Sequence, residues 1–177
     1  MVRFPSLSRR LAALVFRLLS PRSRLRRALL RRATLSGWAS LDRRDFELNL
    51  IFFAPDAEFE FPLGWQALGL DDSFRGHEGR IEALNKMLEV WASTELDPAY
   101  ILDLGDRVLN LGFWRTQARA SGVPLEQEIS QLVAVRNGLI MHDQTFLSWE
   151  EGLRTAGLDP NAIALPARGR QAASSAG

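Results

Sequence analysis

The side chains best suited to moving protons are two carboxylates and two histidines. Asp143 lies in the run Leu139-Ile-Met-His-Asp-Gln-Thr-Phe-Leu147. As a strand, this run places Leu139, Met141, Asp143, Thr145 and Leu147 on one face, and Ile140, His142, Gln144 and Phe146 on the other. A carboxyl held among Leu and Met side chains loses hydration, which raises its pKa toward what a general base needs. At a rim or in a polar contact face, the same residue is an ordinary aspartate. Glu128, on the preceding run, shares a face with Glu126 and Ser130. Across from Asp143 it would complete a dyad with split pKa values; bridged to Arg115 or Arg119 it would be structural. His142 is one register slip from exchanging faces with Asp143. His77, in Gly76-His-Glu-Gly79, stands where a helix begins, and there a histidine serves either chemistry or unpaired backbone groups.

Other chemistries are excluded. The chain has no cysteine, so disulfides and thiolate metal sites are impossible, as a reducing, cytoplasmic setting would allow. Its two histidines are far apart and lack ligand spacing, so no metal is expected. There is no Gly-rich phosphate loop, nucleophile elbow or dinucleotide fingerprint, and no cofactor is expected.

Positioning these groups falls to a meander from Asp106 to Ser148. Three partly alternating runs are separated there by turn signals at residues 120–124 and at Arg136-Asn137-Gly138. Asn-Gly between alternating runs is the strongest short hairpin signal. Upstream, apolar residues at helical spacing predict a helix from Leu25 to Trp38. A second, Phe46 to Phe53, would be capped by Asp42 or Asp45, and a third runs from Arg80 to Trp91. Strands are predicted at Glu58–Phe61 and, opened by Pro98, at Tyr100–Leu104. A short helix from Trp149 to Ala156 should end at Gly157. This order is that of an α+β domain over residues 25–158, followed by a disordered tail at 159–177 rich in Ala, Gly and Ser.

Residues 1–24 read as a basic amphipathic arm. The net charge of +1 conceals ten arginines and no acid in residues 1–41, against 12 basic and 21 acidic residues in the remainder. Such an arm either pairs with the body's carboxylates or contacts an anionic membrane surface; nucleic acid is disfavoured, because no aromatic–basic interleaving is present. The apolar run Leu11–Phe16 is interrupted by Arg17, too short for a membrane span or a signal peptide core.

Gly37-Trp-Ala-Ser-Leu-Asp-Arg-Arg-Asp-Phe46 and Phe53-Ala-Pro-Asp-Ala-Glu-Phe-Glu-Phe-Pro62 resemble the nuclear-transport-factor-2-like superfamily, particularly its SnoaL-like branch. So do Phe74-Arg-Gly-His-Glu-Gly79 and the closing stretch Gly138 to Leu158, in the same order and spacing. The resemblance implies a cone-shaped α+β barrel, one strongly curved antiparallel sheet wrapped around N-terminal helices, often dimeric through the sheet's outer face. It implies that Asp143 turns inward, where the branch's polyketide cyclases place carboxylate chemistry. It also places Phe61 where ketosteroid isomerases carry their aspartate base, Ser130 at their oxyanion-hole acid, and Gly37 or Trp38 near their tyrosine. A phenylalanine abstracts no proton, so isomerisation by that route is not expected.

The fold hosts many chemistries, so function must come from the site. Trp38, Phe52, Phe61, Trp65, Trp91 and Trp114, with Ser130, Met141 and Thr145, are the expected lining of a pocket for a small, flat, apolar molecule. An acid–base enzyme (cyclase, isomerase or dehydratase) built on Asp143 and Glu128 is the alternative. A dimeric module docking through its arginine arm is the third.

Overall fold

The computed structural model describes residues 19–71 and 73–162. Most of the basic arm and of the predicted disordered tail lies outside the described residues. Helix α1 (Arg24–Asp42) starts where Ser23 accepts the Arg26 N–H. The chain reverses through Arg44, at φ 57°, and Asp45 caps α2 (Phe46–Leu50) by accepting the Leu48 N–H at 3.1 Å. The helix expected to run to Phe53 stops at Leu50 because the backbone there is captured by a strand. The Ile140 N–H donates to the Phe52 carbonyl at 2.8 Å, and Phe53 pairs with Ile140.

Strand β1 (Phe53–Glu60) therefore begins earlier than its alternation suggests. Pro55 is tolerated within it because the β1–β6 register shifts between Phe53 and Glu58. A 3-10 turn (Leu63–Leu68), a short β2 (Ser73–Arg75) and α3 (Gly76–Val90) follow. Strand β3 (Trp91–Asp103) is much longer than the predicted Tyr100–Leu104. Its first half, rich in Glu, Asp and Ser, reads as a loop, yet it lies at the sheet edge, where charges and Pro98 are accepted. The meander forms as expected: β4 (Arg107–Ala118), β5 (Pro124–Arg136) and β6 (Leu139–Phe146). Asn137 and Gly138, at φ 54° and 75°, make the two-residue hairpin turn. Helix α4 (Trp149–Thr155) ends at Gly157, φ 79°, where the Leu158 N–H reaches back to the Leu153 carbonyl.

Among the described residues, six strands form one curved sheet in the order β2-β1-β6-β5-β4-β3, antiparallel except at the β1–β6 junction, and not closed into a barrel. Each face carries its own core. On the inner face α1–α3 cover Phe53, Phe59, Trp114 and Ile129. On the outer face Leu109, Leu111 and Leu132 meet Trp149 and Leu153 of α4. Tyr100, Phe113 and Phe146 belong to this outer core. Gly112 lets the two layers come close. A Cβ there would lie 2.8 Å from the Trp38 ring on one side, while the Trp149 indole donates to the Gly112 carbonyl at 2.8 Å from the other.

Candidate functional site

Between α1 and strands β4–β6 lies a cavity of about 360 Å³. Its walls are apolar, with Leu29 and Leu30 on the helix and Val108, Val133 and Ile140 on the sheet. A second space of about 60 Å³, walled by Phe61, Trp65, Trp114 and Thr145, adjoins it. Trp38, Leu41, Arg80 and Gln131 border both.

Arg80 is the side chain that sequence reasoning missed. It comes from the first turns of α3 and is buried, 4% exposed. Its guanidinium stands 4.9 Å from the centroid of the Phe59 ring and 5.7 Å from those of Phe53 and Phe61. One Arg80 nitrogen is 3.8 Å from Asp143 Oδ2, a long ion contact. Arg80 Nε has no hydrogen-bond partner among the described residues, and neither has Asp143 Oδ1. A signal for Arg80 existed: it lies four and seven residues before Leu84 and Met87, an arginine on the apolar stripe of its helix.

Asp143 faces inward, 1% exposed. It lies behind Arg80 and Gln131 and lines neither cavity. Gln131 Nε2 donates to Asp143 Oδ2 at 2.9 Å, while Gln131 Oε1 accepts from the Trp38 indole at 3.1 Å and from Asn110 at 3.4 Å. The indole N–H can only donate, so it fixes which end of the amide meets the carboxylate. Thr34 Oγ1 donates to the side-chain oxygen Oδ1 of Asn110 at 3.3 Å, extending the chain to the cavity wall. Burial pushes the Asp143 carboxyl above the usual carboxylate range, against the opposing pull of Arg80 and the Gln131 bond. Burial also pulls the Arg80 guanidinium below its ordinary value, with Asp143 opposing. Asn110 and Gln131 each sit as a single amide between apolar residues on an inward face, a pattern legible in sequence once the face is known.

The remaining candidates divide by face. Trp38 and Phe52 line the larger cavity; Phe61, Trp65, Trp114 and Thr145 line the smaller. Trp91 packs edge-on against Trp114, ring centroids 5.1 Å apart, and lines neither space. Met141 does not follow the expected alternation. It is the extra residue of a bulge between the pairs Ala134–His142 and Val135–Ile140, so Ile140, rather than Met141, lines the cavity. Glu128 and Ser130 lie on the outer face. The Val133–Asp143 and Gln131–Thr145 pairs place the odd-numbered residues of β5 inward, and their neighbours outward. Glu128 accepts the Trp149 N–H at 3.3 Å, and Ser130 donates to the Ser148 carbonyl at 2.7 Å under α4. The Asp143–Glu128 dyad therefore does not form. Arg115 bridges Glu126 at 2.6 Å instead of Glu128. His142 is outward and bonded to Glu60 at 2.8 Å, and His77 meets the Phe53 carbonyl at 3.1 Å. No three His, Asp or Glu side chains come together to hold a metal ion among the described residues. No helix among them is long and apolar enough to cross a membrane.

No family model matches the chain, and no curated protein matches it. Solved structures do. An NTF2-like protein of unknown function from Burkholderia pseudomallei superposes with a TM-score of 0.62 at 23% identity, over 70% of this chain and 93% of its own. TerC, crystallised with polyporic acid, gives 0.61 at 24% identity over 72% and 95%. A Shewanella denitrificans protein named for the SnoaL-like polyketide cyclases gives 0.53 at 12% identity over 71% and 96%. With an open, curved sheet around its N-terminal helices, this chain has the nuclear-transport-factor-2-like fold.

Proposed function

We propose that this protein binds a small, largely apolar molecule in the cavity between α1 and the sheet. The observation that carries this reading is the combination of apolar walls with a few convergent polar groups, Thr34, Asn110, Gln131 and Arg80, in about 360 Å³. Few, well-placed polar groups in an apolar concavity are the usual composition of a small-molecule site. TerC, a structural neighbour, was crystallised with a small organic molecule, polyporic acid, which supports the same reading.

A molecule that binds only the folded state must raise its stability. Screening a panel of flat hydrophobic compounds by thermal shift should therefore find stabilisers. Ala33→Trp, which fills the cavity from α1, should remove that response while leaving the protein folded. A panel with no stabiliser, or an unchanged response in the filled variant, overturns the reading.

Catalysis is the second reading, and one observation favours it: a buried carboxyl with raised pKa stands one side chain away from the cavity. It would act alone, since Glu128 is on the other face.

A further inference from the structure

Arg80 carries five N–H donors and always seeks acceptors. Among the described residues its one ion contact is a carboxylate oxygen at 3.8 Å, beyond hydrogen-bond distance; three phenyl rings flank it, and it borders two cavities. A cation this buried, at 4% exposure, is ordinarily tied by several bonds. Here that side chain borders the cavity proposed to hold a ligand.

We propose that this ligand is a small apolar acid, a carboxylic acid, enol or phenol, whose anionic oxygen bonds Arg80 while the Asp143 carboxylate takes up one proton. The inference rests on the reading of the cavity as a small-molecule site. The charges require the proton. Arg80 and Asp143 together are neutral, so an anion added alone would leave a buried negative charge, which is costly. When the acid enters protonated, its O–H bond breaks, the new O–H bond forms on Asp143, and the anionic oxygen accepts from the guanidinium. When it enters as the anion, solvent supplies the proton. Either way the total charge of the site is unchanged. The titratable groups acting on Asp143 among the described residues are Arg80 from α3 and His142, its outward neighbour on β6; Gln131 from β5 is neutral and donates to it. Burial already holds the Asp143 carboxyl above its usual range, so the proton has a ready acceptor. Phe53 in the larger space and Phe61 in the smaller, both beside the guanidinium, would hold the apolar body of the acid close to it, where a charge-assisted bond is strong.

Calorimetry with three probes of one shape, 2-naphthoate, 2-naphthamide and 2-methylnaphthalene, tests this on the intact protein. Naphthoate should bind on the order of tenfold or more tighter than the amide, the weight of one hydrogen bond to a charged group. Titrations in buffers of differing ionisation enthalpy should give close to one proton taken up per naphthoate. Arg80→Met should bring the acid-to-amide ratio to about one while both neutral probes still bind, which also shows that the variant is folded. Arg80→Lys should retain part of the preference. Asp143→Asn should abolish the proton uptake and tighten naphthoate. Equal affinity of acid and amide in the wild type, or a preference that survives Arg80→Met, overturns the assignment of Arg80 but leaves the cavity reading standing. Failure of all three probes to bind overturns both.

Discussion

Among the described residues two arginine–aspartate pairs are buried, and they are built in opposite ways. Arg26, at the start of α1, grips Asp103 at the end of β3 with two bonds of 2.7 Å, and its remaining donors reach the carbonyls of Leu19 and Gly105. The Gly105 N–H in turn donates to Asp103 at 3.1 Å. Arg80 and Asp143 are equally buried, yet they share one contact of 3.8 Å and leave Nε and Oδ1 unpaired. The first pair is finished inside the protein; the second has bonding capacity left over. Burial and residue type are the same in both, so neither separates a fastening from a site. The number of satisfied donors does.

The largest expected effect of this difference is on stability. Arg26→Met leaves the Asp103 carboxylate buried without its cation and should destabilise by about 3–5 kcal/mol in denaturant unfolding. Arg80→Met should cost clearly less, because it removes a single long contact of 3.8 Å and Asp143 keeps its bond from Gln131. Equal losses would break the comparison. Next in size, the double change Arg80→Met/Asp143→Leu replaces an incompletely bonded pair by apolar side chains and should be neutral or stabilising by ~1–4 kcal/mol. The same replacement at Arg26 and Asp103 should destabilise.

Smallest is the pH dependence. The folded pKa of Asp143 is raised, so the native state binds more protons than the unfolded chain between the ordinary aspartate value of 3.8 and the folded value. Stability contributed by this group is therefore lost as pH rises through that window. Asp143→Asn should flatten that part of the stability profile; an unaltered slope would show that the carboxyl is not held out of its usual range.

Sequence carried the meander, the Asn-Gly turn, the cap at Asp45 and the final helix, because each rests on local chemistry that tertiary contacts do not override. It carried Asp143 to the inner face but could not carry its surroundings. One bulged residue, Met141, shifts every side chain before it on β6 to the other face, and alternation cannot reveal a bulge. Arg80 was readable as an arginine on an apolar stripe, yet a charge on a helix face is usually solvated, and only the packing of α3 over Phe59 shows otherwise. The first half of β3 was lost for a related reason: edge strands take charges that interior strands refuse.

Gly112 carries one more consequence. Its carbonyl is held by Trp149 from the outer layer while the Trp38 ring presses on it from the inner one. A single peptide thus serves as the common wall of two compartments. Trp38 also sets the amide of Gln131, so the docking of the last helix fixes, through two tryptophans and one residue without a side chain, the shape of a chamber that it never touches.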